Sequence, residues 1–454
     1  MKILYFILGF IKGIASGGGG GATVDPVHTV TFMSEDGTEV LYQRSVVDGD
    51  DCADVVKRGL LATPTKESTP QYSYTHSGWS MTSGGAASSS ALSAVTEDRT
   101  VYAAFTSAVR YYTITYLDED GSVLKTESLA YGTMPTYIPE KDGYLFSYWE
   151  PELSMVTGDA TYTAQFIETK PLNQYTWSEI SEISTAGTGE NYFALGDCKA
   201  VDLKGTVGTL VLDATYYVYI IGFNHNSEYE GSGIHFGTFK TAQLNGKDIC
   251  LCDGNYGNGV ADGTHYFGIN HYAPYNMGGW KGCDIRYDVL GSTDTEPTYY
   301  KNTAAQTNKI GFDASTTCAT DPVANTLMAA LPSDLRAVMK PMTKYTDGRG
   351  NSSNVSANVS ASVDYLPLLA EFEVYGVQKN ANQYEQNKQK QYAYYAEGKS
   401  KIKYKHDSQD TAVIYWLRSP YKGTNNYFCY AKADGAVSYF YVQSSYGLAP
   451  IFKV

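Results

Sequence analysis

The sequence has few cysteines, and their spacing indicates neither a disulfide framework nor a structural metal site. Seven cysteines are spread over 454 residues, without a Cys-x-x-Cys pair or a Cys/His cluster of zinc-binding spacing. Cys250 and Cys252 lie two residues apart, which on a strand places both thiols on one face, as buried thiols. We therefore expect no metal and no cofactor.

Positive charge is also scarce. The chain has 34 Lys and Arg residues against 48 Asp and Glu residues, a formal net charge of -14. Nucleic-acid-binding proteins obtain most of their affinity from clustered basic side chains. The composition therefore excludes nucleic acid as the expected partner.

Catalytic motifs are missing as well. One glycine-rich stretch contains several histidines and aspartates that suggest metal or general-base chemistry: His225, His235, His265, His271, Asp253 and Asp262. Their spacings match no two-histidine metal motif, no Gly-x-Ser-x-Gly elbow occurs, and residues 254–259 lack the Lys-Ser/Thr of a phosphate loop. We therefore predict that the chain is not an enzyme.

No apolar run is long enough to span a membrane, which needs about 20 residues. The longest candidate, residues 3–11, lies between Lys2 and Lys12 and precedes five glycines at 17–21. This pattern is typical of a short signal peptide, but it equally fits an apolar docking peptide on a flexible hinge, inserted into other virion or cell-surface proteins. Both interpretations of residues 1–26 stay open.

Tyrosine is the residue present in excess, with 41 copies against 16 Phe and 5 Trp. Tyrosine combines a large contact area with few rotatable bonds and a polar tip, and binding surfaces use it heavily. The length predicts roughly three structural units.

Two of these units are internal repeats, at residues 30–105 and 114–166. Each begins with a predicted hairpin at Asp36-Gly37 or Asp120-Gly121 and has one mid-core tryptophan, Trp79 or Trp149. Each ends in an alternating strand, residues 100–105 or 161–166. The longer first copy has predicted loop insertions at 68–77 and 84–90. DEDGS at 118–122 is predicted to be a turn, since it lacks the ligand set of a calcium loop.

These motifs resemble the internalin-type B repeat, also called the Listeria-Bacteroides repeat. The second copy matches the family's D-G-x-x-L hairpin, its tryptophan segment and its V-T-x-D-x-T-Y-x-A-x-F ending. The resemblance implies small β-rich, ubiquitin-like spacers at residues 27–107 and 108–170.

Residues 171–454 have a different character, after a predicted linker at 169–174. We predict a helix that buries Trp177, Ile180 and Ile183, then strands near 201–212 and 216–223. Further helices are expected at 324–342, capped by Ser333 or Asp334, and at 380–396. Three alternating lysines predict a solvated or edge-protecting strand face: Lys401, Lys403 and Lys405.

The last forty residues contain seven tyrosines, mixed with asparagine, serine and glutamine. Antibody paratopes favour this mixture of rigid aromatic anchors and adaptable polar groups. The segment SYFYVQSSY has aromatics on both strand faces, so it is either a fully buried strand or one with an exposed, contacting face. We predict the exposed face, because many tyrosine and serine hydroxyls would otherwise need internal partners.

The third unit also resembles a family of phage and gut-bacterial proteins through five segments. They are GGWKGCDIR, LPSDLRAV, KPMTKYTD, LLAEFEVYG and the ending from WLRSP to GLAPIFKV. The resemblance implies an α+β protein with a C-type-lectin-like recognition domain at 171–454, similar to the variable proteins of diversity-generating retroelements. It implies a scaffold of Trp416, Leu417, Arg418, Gly435, Pro450 and Phe452.

The same resemblance implies diversified, ligand-facing positions: Tyr421, Asn425, Asn426, Tyr427, Ser438, Tyr439, Tyr441, Ser444, Ser445 and Tyr446. Arg418 is expected to be a framework residue paired with a buried carboxylate such as Asp284.

Three function classes follow. The first is a phage receptor-binding or decoration protein that contacts a host-cell surface protein or glycan from the virion surface. The second is a bacterial cell-surface adhesin of the same architecture. The third is an enzyme similar to formylglycine-generating oxidases, for which Cys283 and Cys429 are the candidate thiols. A homo-oligomer is possible in each.

Overall fold

The computed structural model describes residues 24–259, 266–271, 275–276, 278–291, 320–348 and 354–454. Our expectations for residues 1–21, Asp262, His265 and Cys318 lie outside these residues. The chain divides into two compact units, Met1–Ile167 and Glu168–Val454. The described part is mostly β-sheet with short helices, a β-rich α+β fold.

The first unit contains two four-stranded sheets. Their strands are β1 (Val27–Met33), β2 (Val40–Val47), β3 (Tyr72–Ser80) and β4 (Arg99–Val109), then β5 (Tyr111–Leu117), β6 (Val123–Ala130), β7 (Tyr144–Glu150) and β8 (Ala160–Glu168). The sheet orders are β2-β1-β4-β3 and β6-β5-β8-β7, and the two central strands of each sheet, β1 with β4 and β5 with β8, are parallel. The repeat that the sequence predicts is therefore also a repeat of topology.

Both predicted hairpin turns are confirmed. Gly37 and Gly121 have φ of 74° and 83°, which glycine adopts without a Cβ clash. Asp36 and Asp120 each accept a hydrogen bond at Oδ1 from the backbone N–H two residues later, at 3.1 and 2.8 Å. These bonds close each turn locally, as DEDGS predicts.

Each sheet packs on its predicted tryptophan. Trp79 is 2% exposed and meets Phe32 edge to face at 4.6 Å between ring centroids. Trp149 is 5% exposed, lies 5.0 Å from the Tyr116 ring, and donates its indole N–H to the Tyr137 carbonyl at 3.1 Å. One loop prediction is partly wrong, because residues 72–77 extend β3, where Tyr72, Tyr74 and His76 alternate as a strand requires. A 3-10 helix (Ser89–Ala91) lies at the end of the other insertion.

The second unit contains four sheets among its described residues, ordered β9-β10-β11-β20 (read from one edge), β12-β15-β16, β13-β14 and β17-β18-β19. The strands are β9 (Cys198–Val207), β10 (Leu210–Phe223), β11 (Ile234–Lys240), β12 (Ile249–Cys250), β13 (Met342–Asp347), β14 (Val359–Asp364), β15 (Lys403–Lys405), β16 (Ser408–Val413), β17 (Tyr415–Pro420), β18 (Tyr427–Ala431), β19 (Val437–Tyr441) and β20 (Ile451–Lys453). The last strand, β20, pairs antiparallel with β11, so the chain end is built into a sheet.

The described helices of this unit are short. They are α1 (Trp177–Thr185), α2 (Gly189–Tyr192), α3 (Ser227–Glu230), α4 (Gly279–Gly282), α5 (Leu327–Ala330), α6 (Ser333–Val338), α7 (Glu371–Tyr375) and α8 (Ala393–Ala396). A π-helical turn (Arg286–Leu290) and 3-10 turns (Leu172–Gln174, Ser356–Asn358, Gln383–Lys388) join them.

Helix α1 confirms the sequence prediction. Thr176 accepts from the Glu179 backbone N–H at 3.2 Å, and the Glu179 carboxylate accepts from the Thr176 N–H at 2.6 Å, which is a capping box. Trp177 and Ile180 are buried, and Ile183 packs against the same core. The predicted strand near 216–223 lies within β10. The strand predicted near 201–212 is wrong in extent, because residues 208–209 form the turn between the antiparallel strands β9 and β10.

The two longer helix predictions are wrong in extent. Residues 324–342 contain only α5 and α6, separated at Pro332, and the N-cap of α6 is Pro332 instead of Ser333 or Asp334. Residues 380–396 contain a 3-10 turn and α8. There, Gln389 donates its amide to the Tyr345 carbonyl at 2.7 Å, so tertiary contacts replace a continuous helix.

The lysine row is also partly wrong. Lys403 is 1% exposed, and its ammonium donates to the Tyr219 hydroxyl at 3.1 Å. Lys401 and Lys405 are partly exposed.

Sheet β17-β18-β19 lies between two cores of the second unit. The first core contains Trp416 and Phe428, and the second contains Leu417 and Cys429. Successive residues of β17 and β18 therefore point into different cores, as the alternation of a strand requires. Strand β17 and most of β18 are buried, and they support the partly exposed strand β19 of the tyrosine-rich chain end.

Candidate ligand-binding surface

Four tyrosines form a partly exposed aromatic cluster at one end of this sheet. We call Tyr421, Tyr427, Tyr439 and Tyr441 the tyrosine surface. Tyr421 and Tyr439 stack at 3.6 Å between centroids with an interplanar angle of 11°, and Tyr427 lies 5.8 Å from Tyr439. A hydrogen bond between Tyr421 and Tyr439 raises the pKa of Tyr421, so its hydroxyl is neutral at physiological pH.

Strand register explains why only this end of the sheet face is open. Tyr427 pairs with Tyr441 and Cys429 pairs with Tyr439, so these residues share one face. Further along β18, Cys429 and Ala431 are fully buried in the second core. The tyrosines therefore lie where this face of the sheet leaves the core.

Seven of the ten positions expected to face ligand are partly exposed: Tyr421, Asn425, Asn426, Tyr427, Ser438, Tyr439 and Tyr441. They lie on β18, β19 and the adjoining segment 421–426. No described contact identifies a ligand, so their role in binding stays a prediction.

The expected exposure of the other three positions is wrong. Ser444 and Ser445 are 0% exposed, and Tyr446 is 3% exposed. Ser445 donates to the Asp253 carboxylate at 2.6 Å, and Tyr446 donates to the Asn258 side-chain oxygen at 2.8 Å. Their hydroxyls have the internal partners that the buried interpretation required, so Tyr446 belongs to the core, with its ring 4.9 Å from that of Trp416.

Asn276 holds the loop between Tyr421 and Tyr427. This residue is 0% exposed, and its side-chain amide donates to the Thr424 and Tyr427 carbonyls at 2.9 and 2.8 Å. Its backbone N–H donates to the Asn425 carbonyl at 2.6 Å. One buried asparagine thus satisfies three carbonyls of a loop that exposes Asn425 and Asn426.

A buried carboxylate organises the opposite border. Glu371 is 0% exposed and accepts from the backbone N–H groups of residues 379, 380 and 381 at 2.8 to 3.0 Å. Ala381 forms a β-bridge with Tyr421, and the Lys422 N–H donates to the Asn380 carbonyl at 3.1 Å. Glu371 therefore fixes a loop that in turn positions Tyr421.

The expected scaffold positions of β17 and the chain end are buried. Trp416, Leu417, Arg418 and Phe452 are at most 1% exposed, and the Trp416 indole donates to the Phe267 carbonyl at 3.0 Å. Pro450 is buried too, and Gly435 lies in the turn between β18 and β19.

The partner expected for Arg418 is wrong. Its guanidinium binds both carboxylate oxygens of Glu373, one of them at 2.7 Å, instead of Asp284. Such a bidentate salt bridge suits the planar guanidinium group of arginine. Arg286 pairs with Asp364 through its Nε at 2.5 Å, and Asp364 also accepts from the Trp280 indole at 3.0 Å.

Arg418 belongs to a larger cluster that sequence reasoning missed. We call Glu230, Lys344, Glu373 and Arg418 the buried ionic network. The Lys344 ammonium lies 2.5 Å from the Glu230 carboxylate and 3.0 Å from that of Glu373, and all four residues are at most 3% exposed. The glutamates at 371 and 373 within the apolar segment LLAEFEVYG were the available signal, because buried carboxylates need cationic or N–H partners.

The pKa values of the two carboxyl groups shift in opposite directions. Burial raises the pKa of Glu230 more than Lys344 lowers it. Burial also raises the pKa of Glu373, but Arg418 and Lys344 outweigh it and lower the pKa overall.

Two histidines border the network. Burial lowers the pKa of His225 to about 3 and that of His235 well below its usual value, so both are neutral at physiological pH. Ligand atoms of His225, Glu230 and Glu373 lie within 4.8 Å of one another. Lys344 and Arg418 supply two positive charges against the two carboxylates, so the donor set fits an internally balanced network better than a cation site.

The remaining candidates for general-base chemistry are separated. Asp253 is engaged by Ser445 and by the Phe267 N–H, and His271 lies 3.4 Å from the Asp288 carboxylate. Asp262 and His265 lie outside the described residues, and Asp253 and His271 each contact partners outside the set named from the sequence.

The six cysteines that the structure describes lie in the interior. Cys250 and Cys252 are at most 1% exposed, as their spacing predicted. Cys283 and Cys429 are 0% exposed, and burial raises the pKa of both thiols.

Comparisons with known proteins match two parts of the chain to a family and to solved structures. Residues 270–454 match a family described as a domain of unknown function, DUF6273. A solved structure titled "Streptococcal High Identity Repeats in Tandem (SHIRT) domains 3-4 from cell surface protein" is similar at 14% sequence identity and a TM-score of 0.17, covering 31% of this chain and 98% of that chain. This TM-score is too low to support a shared fold.

A search of curated proteins finds no match. Among the described residues, no helix is long and apolar enough to cross a membrane.

Proposed function

We propose that this chain is a non-enzymatic binding protein of a virion or cell surface and that its second unit contacts ligand through the tyrosine surface. The two repeats are ubiquitin-like spacers, and residues 171–454 form a C-type-lectin-like recognition domain. The ligand is a host-cell surface protein or glycan. The contacting residues are Tyr421, Asn425, Asn426, Tyr427, Ser438, Tyr439 and Tyr441.

The observation that carries this proposal is a set of partly exposed aromatics on a fully buried support. Trp416, Leu417 and Arg418 are at most 1% exposed on β17, whereas the tyrosine surface beside them is open to solvent. Rigid aromatic anchors lose little conformational entropy on binding, and Asn276 and Glu371 hold their loops in place before ligand arrives. Such pre-organisation favours recognition.

An oxidase-like enzyme is less well supported. Its chemistry requires a reactive thiolate, whereas burial raises the pKa of Cys283 and Cys429 and disfavours that form. Alkylation of either thiol in the folded chain faster than free cysteine would favour the enzyme.

Of the two kinds of surface protein, we propose a phage receptor-binding or decoration protein, with a bacterial adhesin as the alternative. They differ in the fate of residues 1–21. N-terminal sequencing of mature protein decides between them, because an intact apolar start favours virion assembly and a processed start favours secretion.

The binding proposal is tested by replacing Tyr421, Tyr427 and Tyr439 together with Ser. The probes are a printed glycan microarray and a panel of intact bacterial cells. Aromatic anchors contribute about 2 kcal/mol or more each, so affinity should fall by about three orders of magnitude after allowing for non-additivity. A thermal melt should show retained folding, because the rings lie at the edge of the core.

A matched control exists in the first unit. Tyr111, Tyr144 and Tyr148 are 66%, 38% and 53% exposed, and their triple replacement by Ser removes the same chemistry elsewhere. This control should bind as the parent does. Equal binding by the tyrosine-surface variant, or no binding by the parent to any probe, would refute the proposal.

A further inference from the structure

Two lysines lie on the loops that border Tyr421. Lys379 is exposed and Lys422 is partly exposed. The Lys422 ammonium donates to the Lys379 carbonyl at 2.7 Å, and the neighbouring bridge joins Ala381 to Tyr421. The contacts that build the tyrosine surface therefore place two positive charges at its border.

Neither ammonium forms an ion pair with a described residue, whereas lysines on three other loops of this unit do. Lys247 pairs with Asp410 at 2.8 Å, Lys405 with Asp407 at 3.3 Å, and Lys432 with Asp434 at 2.9 Å. The acidic side chain of Glu371 contacts the loop that contains Lys379. It is fully buried, however, and its oxygens accept from backbone N–H groups. In a chain of net charge -14, this border is a local excess of accessible positive charge.

The uncharged groups beside the lysines are amides and hydroxyls. Asn425, Asn426 and Ser438 are partly exposed around the stacked Tyr421 and Tyr439 rings. Aromatic faces carry negative electrostatic potential and attract polarised C–H groups, such as those on the flat side of a pyranose ring. Amides and hydroxyls suit the sugar's hydroxyl groups, since they both donate and accept.

We propose that the tyrosine surface binds an anionic glycan, with the sugar ring on the tyrosines and its carboxylate or sulfate on Lys379 and Lys422. The ligand class rests on the proposed binding function of the same surface. An acidic peptide is less well matched, because peptide anchors usually fill an apolar pocket and the partly exposed set at this surface is aromatic and amide.

The test uses the full-length chain on a microarray that prints each acidic glycan beside its neutral parent. Sialyllactose with lactose reports on carboxylate, and sulfated with unsulfated N-acetyllactosamine reports on sulfate. We expect binding to an acidic member at least tenfold tighter than to its neutral parent, weakening as NaCl rises from 0.1 to 0.5 M because exposed charges are screened.

Lys379→Ala/Lys422→Ala should reduce this binding at least tenfold, whereas Lys379→Arg/Lys422→Arg should retain most of it. The control is Lys247→Ala/Lys405→Ala, which removes two lysines already paired with carboxylates. Thermal melts of all three variants should match that of the parent, since these side chains are on the surface.

The outcomes separate this inference from the proposed function. Equal binding to acidic and neutral glycans, or binding unchanged in Lys379→Ala/Lys422→Ala, would overturn the anionic-glycan assignment and leave the tyrosine surface as a binding site. Binding to acidic glycans that survives the triple tyrosine replacement, or no binding by the parent to any probe, would overturn the proposed function itself.

Discussion

Replacing Glu373 with Gln should lower the free energy of unfolding of the second unit more than a Glu→Gln change at an exposed position does. Glu373 is 0% exposed and binds the Arg418 guanidinium with both oxygens, the Lys344 ammonium at 3.0 Å, and the Ala370 N–H at 2.9 Å. The glutamine keeps the shape but removes the charge. Two buried cations are then left with Glu230 as the only carboxylate of the network.

The magnitude follows from that imbalance. Breaking a buried ion pair by removing one partner costs about 3 to 5 kcal/mol, because the remaining charge is desolvated without compensation. For a unit of this size, each 1 kcal/mol lowers the melting temperature by about 2 to 4 °C, so a fall of roughly 6 to 20 °C is expected. The exposed Glu182→Gln on α1 is the matched control, and its effect should stay within about 0.5 kcal/mol.

A double-mutant cycle with Arg418 tests the reason as well as the size. Arg418→Gln combined with Glu373→Gln removes one charge of each sign, so the double variant should lose less free energy of unfolding than the two single variants added together. Urea unfolding followed by near-ultraviolet circular dichroism measures all four proteins. A loss below 1 kcal/mol for Glu373→Gln, or strict additivity in the cycle, would contradict this account of the network.

Three further predictions concern other parts of the chain. His225 has a folded-state pKa of about 3 against an ordinary 6.5, so the unfolded state binds the extra proton and stability is lost as pH falls from 6.5 towards 3. At pH 4.5 this amounts to roughly 2 to 3 kcal/mol, and His225→Phe, which keeps a ring on Tyr392, should lose less stability than the parent between pH 7 and 4.5 in urea titrations. Asn276→Ala removes two hydrogen bonds worth about 1 kcal/mol each, and it should reduce the free energy of ligand binding more than the free energy of unfolding. A larger loss in unfolding than in binding would contradict its positioning role. Residues 110–168 expressed alone should melt cooperatively, and Trp149→Ala should cost about 3 to 5 kcal/mol and abolish that transition; a fragment without a transition would contradict the spacer assignment.

Several features could be predicted from the sequence because short stretches encode them. The Asp-Gly turns at Gly37 and Gly121 and the capping box before Trp177 each depend on residues within a few positions of one another. The core tryptophans, Trp79 and Trp149, were identified from the repeated pattern, although they pack on residues distant in the chain. Such local preferences of turn, cap and strand alternation survive in almost any tertiary setting. The repeated strand order follows, since both copies carry the same pattern.

The tertiary structure alone decided which parts of the chain end are open. The pattern SYFYVQSSY does not distinguish a strand edge from a buried strand, because burial depends on what covers each face. The structure leaves Tyr439 and Tyr441 partly exposed and buries Ser444, Ser445 and Tyr446 against Asp253 and Asn258. Those two partners lie nearly 200 positions earlier in the chain, so no local pattern contains them.

Charge pairing shows the same division. The sequence identified Arg418 as a framework residue that needs a buried carboxylate, since an unpaired interior arginine is too costly. It could not identify Glu373 over Asp284, because the choice depends on how α7 packs against β17. Residue type determines that a partner is needed, whereas long-range packing determines which residue that partner is.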